Sequence, residues 1–146
     1  MNREQVQKQL AVDEGIVNEI YLDHLGYATF GIGHLITDKD PEQGCDVGTP
    51  VSEERVTEAF QADLDIAIGE CKVLFDMWET YPGEVQEILV NMMFNLGRPR
   101  LSKFKNFKKA VDAGDWKTAG TEGRDSLWWK QVGNRAERLM VRMENV

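Results

Sequence analysis

Cysteine is almost missing from this chain of 146 residues: only Cys45 and Cys71 occur. No CxxC pair accompanies them, so neither a disulfide-stapled mini-protein nor a cysteine zinc site is indicated. Two free thiols are the expectation, with a single Cys45–Cys71 bridge as the alternative. Histidine is scarcer in its consequences. His24 and His34 lack the partners at i+3 or i+4 that a helical metal site needs, so no metal is expected. No apolar run approaches the roughly 18 residues of a membrane span. The N-terminus, MNREQVQKQL, has no apolar signal core, which predicts synthesis in the cytoplasm without an export signal. Bases are the minority charge, 17 against 25 acids, for a net charge of −8. A chain without a basic excess is a poor candidate for general nucleic-acid binding. It is also a poor match to an anionic surface, unless salt screens the repulsion.

What is present fits a globular chain of one-domain size. Hydrophobic residues make up 42% and charged residues 29%, and this length suffices to bury a core. The chain is organised around residues 14–34, EGIVNEIYLDHLGYATFGIGH. Eight residues separate Glu14 from Asp23, and five separate Asp23 from Thr29. Between them, IVNEIYL and YATFGIG read as strands and DHLG as a turn, so a hairpin gathers the three polar groups around one opening. Side chains alternate along the second strand, so Thr29, Gly31 and Gly33 share one face, and Ala28, Phe30, Ile32 and His34 the other. Glycines on that face mark either close approach of a ligand or a bulge or bend.

Glu14 is placed oddly. Residues 3–13 have a helical pattern with Val6 and Leu10 inward, and Gly15 reads as the residue just past the helix end. Asp13 and Glu14 then sit at the negative end of the helix dipole. Either both are solvated at a small cost, or Glu14 is a partly buried acid that holds its proton for chemistry.

The spaced Glu14, Asp23 and Thr29, followed by GIGH and, far downstream, NRAER, resemble the phage-type lysozymes, the glycoside hydrolases known as endolysins. DEG, IYLD and GYATFGIGHLIT match as well, and the resemblance spans nearly the whole chain with one short gap after Thr37. It implies an α+β, mainly helical lysozyme-like fold in a single domain over 1–146. A small lobe of about 12–51 carries the β-hairpin sheet. A connecting helix covers about 52–70, and a helical lobe covers about 71–146 together with the N-terminal helix 3–13. It also implies that Arg135 faces Glu14 and that Arg138 pairs with Asp13. His34 would join Asp63 in a structural ion pair, and Asn95 would line the cleft. Gly33 and Leu35 are the other expected substrate-binding positions. Trp128, twelve residues after Trp116, is expected in the core with it.

The remaining pattern is helical. Ser52 is a good N-cap for a helix whose stripe is Val56, Ala59, Phe60, Leu64, Ala67 and Ile68. A short helix at 71–79 is expected before the break at YPG. Val85, Ile88, Leu89, Met92, Met93 and Leu96 mark the clearest core helix, 84–97. Further helices are expected at about 102–112, 115–122, 125–130 and 134–143, punctuated by Gly114, Gly120, Gly123 and Gly133. Residues 36–50 read as a loop.

By resemblance, then, the expected activity is hydrolysis of the β-1,4 bond between N-acetylmuramic acid and N-acetylglucosamine in peptidoglycan glycan strands. Glu14 is the expected general acid, with Asp23 and Thr29 acting on water and no cofactor. A hydroxyl beside a carboxylate suits the holding of water, which points to inversion at the anomeric carbon. The protein is expected to be monomeric, not to insert into membranes, and to reach the wall from the host cytoplasm after release by another protein. Two alternatives stand: an inactive wall-binding or structural protein of this fold, and a tail-associated lysozyme domain. The chain's end soon after its last helix favours the free enzyme.

Overall fold

The computed structural model describes residues 1–146. The chain forms eight α-helices and one three-stranded antiparallel sheet near its N-terminus, the mainly helical α+β class expected. Two compact units are distinguished: Gln7–Asp65, and Met1–Val6 together with Ile66–Val146.

In the first unit, helix α1 (Arg3–Glu14) ends at Gly15, whose φ of 78° is the left-handed value that glycine adopts without strain. Strand β1 (Val17–Leu22) pairs with β2 (Ala28–Gly31), placing Tyr21 opposite Thr29 and Leu22 opposite Ala28. A bulge interrupts the register between Val17 and Tyr21. There the other edge of β1 turns to residues 48–51: Ile20 N–H donates to Thr49 O, and Val51 N–H to Asn18 O. The 36–50 loop is thus stitched to the sheet at its far end.

The second strand is not continuous. Gly31 and Gly33, with φ of 66° and 65°, reverse the chain, and a third strand, β3 (His34–Leu35), folds back on β2. Phe30 pairs with His34 and Thr29 with Leu35. The expected face shared by Thr29, Gly31 and Gly33 therefore does not exist as drawn. The glycines are there to bend the strand. Gly31 also lacks room: an added Cβ would lie 3.1 Å from a Val56 methyl.

Helix α2 (Glu53–Leu74) starts as predicted, with Ser52 Oγ accepting from the Arg55 N–H. No separate helix spans 71–79. The buried stripe Leu64, Ala67, Cys71 keeps its helical spacing, so α2 runs on to Leu74. Only a single 3-10 turn, Trp78–Thr80, follows. Cys71 is buried and free, its thiol pushed up to about 12 by burial, and Cys45 is exposed and free.

In the second unit, α3 (Gly83–Leu96) is the central helix, with all six predicted apolar positions and Val90 buried. Then come α4 (Arg98–Leu101), α5 (Lys105–Asp112), α6 (Trp116–Arg124), α7 (Leu127–Val132) and α8 (Asn134–Glu144). No helix was expected over Arg98–Leu101, yet Pro99 lies in the first turn of α4, where proline costs little because that N–H has no partner anyway.

Gly120 and Gly123 are not punctuation either. Both lie inside α6, where a Cβ at Gly123 would meet Met140 Sδ of α8 at 2.1 Å and one at Gly120 would meet Glu144 Cγ at 2.3 Å. Met140 is fully buried. Gly123→Ala is expected to destabilise by about 1–3 kcal/mol through overpacking. Chemical denaturation measures this, and Met140→Ala in the same chain should return part of the loss. Additive losses would mean that the two helices do not meet there.

Candidate active site

Residues directly opposite across an antiparallel pair point to the same side. Tyr21, Thr29 and Leu35 therefore form one row across the three strands, and Asp23, two residues beyond Tyr21, continues it at the turn. Leu35 is exposed, Tyr21 and Asp23 are half-buried, and Thr29 is buried.

The local fold fixes Asp23. Its Oδ1 accepts from the N–H groups of Leu25 and Tyr27, both at 2.9 Å, and its own N–H donates to Tyr27 O. This Asx-type turn closes the hairpin. Oδ1 is thereby committed, whereas Oδ2 makes no hydrogen bond within the protein. Thr29 Oγ1 donates to Tyr27 O at 3.0 Å. The hydroxyl proton is spent on the turn, so toward a ligand the oxygen can only accept.

Glu14 reaches the same region from the end of α1. Its carboxylate lies over Gly33, where an added Cβ would stand 3.5 Å from Oε2. Gly33 thus gives the turn its φ and leaves space beside Glu14. Tyr21 binds the picture together, and the sequence reading overlooked it. Burial first, then the negative charges of Glu14 and Asp23, raise its phenol above its ordinary value. The charges of both carboxylates thus act on one phenol. Its sequence signal was an aromatic two residues before Asp23, hidden among the strand's other apolar residues.

Asp23 and Thr29 in one row, with the Glu14 carboxylate beside Gly33, are residue types that suit acid–base hydrolysis. A family model described as phage lysozyme matches residues 11–145. The chain belongs to the phage lysozyme family. Among the relatives, probable T4-type lysozyme 2 of Dictyostelium discoideum is 29% identical over 92% of this chain and 91% of its own length. The pre-baseplate central spike protein Gp5 of Enterobacteria phage T4 is 31% identical over 92% of this chain, which spans 26% of that protein. A peptidoglycan hydrolase, gp36 of Pseudomonas phage phiKMV, is 28% identical over 94% of this chain, which spans 15% of that protein. Family and relatives together make this a lysozyme-like protein of the glycoside hydrolase type.

The opposite face of the sheet does structural work. His34 Nδ1 lies 2.7 Å from Asp63 Oδ2 and Nε2 lies 3.0 Å from Asp40 Oδ2. Both partners are carboxylates, so both contacts are hydrogen bonds only when both ring nitrogens carry protons. The hydrogen bond to Asp63, opposed by burial and helped by Asp40, raises the His34 pKa. The Asp63 partner was expected; Asp40 was not. Burial alone would raise Asp40, but the Thr37 N–H, His34 and Arg55 outweigh it and hold the carboxyl low. Arg55 Nη2 donates to Asp40 and Glu42 at 2.9 Å each, Nη1 reaches Glu58 at 2.8 Å, and the guanidinium lies 5.5 Å from the Phe30 ring centre. The loop is thus clamped to α2 by charge.

The remaining predicted positions lie on the helical unit. Trp128 is buried as expected, and its Nε1–H donates to Asn95 Oδ1 at 2.8 Å. Trp116 is only half-buried, its ring set edge-on to Tyr81. Arg135 Nε donates to Asn91 Oδ1 at 3.0 Å.

Proposed function

We propose that this lysozyme is an inverting muramidase, cleaving the β-1,4 bond between N-acetylmuramic acid and N-acetylglucosamine in bacterial peptidoglycan. The observation that carries the reading is the division of labour between the atoms of Asp23 and Thr29. The backbone holds Asp23 Oδ1, leaving Oδ2 for a ligand, and Thr29 Oγ1 has given its proton to Tyr27 O. A water placed between them donates one hydrogen to each, and its lone pair is left to attack. A direct nucleophile would gain nothing from that hydroxyl.

In the step itself, protonated Glu14 gives its proton to the glycosidic oxygen as the C1–O bond breaks. The water oxygen bonds to C1 from the other side, and Asp23 takes the water's proton. Exchange with solvent then returns both carboxyls to their starting states. Gly33 leaves room beside Glu14, and Leu35 offers an exposed apolar side chain in the Thr29 row for a sugar face.

Digestion of purified walls tests this. Turbidity should fall, mass spectra should show muramic acid at the new reducing ends, and NMR of fresh product should show the α-anomer first. A β-anomer appearing first would mean a retaining mechanism with Asp23 as nucleophile, for which carboxylates about 5–5.5 Å apart are usual rather than about 6.5–9.5 Å. Unchanged turbidity would support an inactive wall-binding protein. The lengths of the spike protein and of the phage hydrolase favour a second setting for the same chemistry, as one domain of a larger phage protein.

A further inference from the structure

The positive charge of this acidic chain is concentrated. Arg98, Arg100, Lys103, Lys105, Lys108 and Lys109 fall within twelve residues that contain no acid. They hold six of the 17 bases, which leaves 11 bases against 25 acids in the rest of the chain. The segment is α4, the turn after it and the start of α5. Its inner side is anchored by buried Leu101, Phe107, Ala110 and Val111, so the cations are held on the outer side of a packed element.

Two of the six are neutralised: Arg98 pairs with Glu70 at 2.8 Å and Lys108 with Asp112 at 2.7 Å. The other four are exposed and have no carboxylate within ion-pair distance; Arg100 donates only to the neutral Gln131. Glu122 and Asp125 border the patch, sharing with Lys103 and Lys105 a shallow cleft of about 260 Å³. Unpartnered like charges repel one another, and a surface built only for stability would intersperse them with acids, as the rest of this chain does.

We propose that Arg100, Lys103, Lys105 and Lys109 form an electrostatic anchor for the carboxylates of the bacterial wall, holding an otherwise repelled enzyme on its substrate. The proposal rests on the reading that the substrate is peptidoglycan. Charge density selects this partner over nucleic acid. Duplex DNA presents a charge about every 1.7 Å of axis, so a strand crossing the patch would also meet the acidic remainder. In the wall, carboxylates sit on peptide stems separated by neutral sugars. At physiological salt, repulsion beyond about 8 Å is screened, and a sparse polyanion can touch the patch alone.

The test uses the full chain with Glu14→Gln, which slows digestion by at least about a hundredfold, in co-sedimentation with purified peptidoglycan. Changing Arg100, Lys103, Lys105 and Lys109 together to Glu should weaken binding about tenfold or more. A control changes Lys8, Lys39, Lys117 and Lys130 to Glu. It has the same net charge and should lose far less. Raising salt to about 0.3 M should erase the difference between the two. Walls whose carboxylates are amidated should bind the parent and the patch variant alike. Equal losses in the two variants would assign the effect to net charge and overturn the anchor. Undiminished patch-dependent binding to amidated walls, or stronger patch-dependent binding to anionic vesicles or DNA, would overturn the choice of partner. Circular dichroism and melting confirm that each variant folds. The proposed muramidase activity is judged separately, from reducing ends released by the unmodified protein.

Discussion

Glu14→Gln is expected to lower wall lysis by at least about a hundredfold while leaving the fold in place. Glutamine preserves the size of the side chain and its ability to lie over Gly33, but it has no acidic proton to give to a leaving oxygen. General acid catalysis contributes roughly a hundredfold or more, and no other carboxyl in the Thr29 row can replace Glu14, because the turn amides hold Asp23. The fold has little to lose. Glu14 is the last residue of α1, where a negative charge opposes the helix dipole by a few tenths of a kcal/mol. The melting temperature should therefore hold or rise slightly. Lysis close to that of the unmodified protein would remove the basis for the proposed mechanism.

His34→Ala is expected to cost about 2–4 kcal/mol near pH 6, and much less near pH 9. The figure follows from two hydrogen bonds to charged partners, each contributing about 1.5–3 kcal/mol, reduced because His34 is 13% and Asp63 23% exposed and solvent screens them. The sign follows from linkage. The folded pKa of His34 is raised, so its contribution is complete below the unfolded value of about 6.5 and is lost as pH rises through the folded value. The folded pKa of Asp40 is lowered, so its share is complete above the unfolded value of about 3.9 and is lost as pH falls through the folded one. The clamp is therefore strongest between about pH 4 and 6.5. Urea titrations across pH, with an NMR titration of the ring, measure both halves. A loss that is the same at pH 6 and pH 9 would show that His34 acts through shape or neutral hydrogen bonding alone.

The sequence by itself determined the core of α3 and the residue types of the candidate site. Those rest on periodic burial and on the spacing of Glu14, Asp23 and Thr29, which are local properties of the chain. It also gave the His34–Asp63 pair, although only through the resemblance. Tertiary structure decided the rest. Whether a glycine ends an element, bends it or fits beneath a neighbour depends on what stands opposite. Gly31 and Gly33 turned a predicted strand into a hairpin because each φ is positive. Gly120 and Gly123 proved to be contact points beneath α8, which no pattern within α6 could reveal. Tyr21 and Asp40 were equally invisible. One matters because the charges of two carboxylates from different elements act on it, and the other because a loop brings it to His34. Periodicity records which side of an element is buried, while partners distant in sequence are set only when the chain closes on itself.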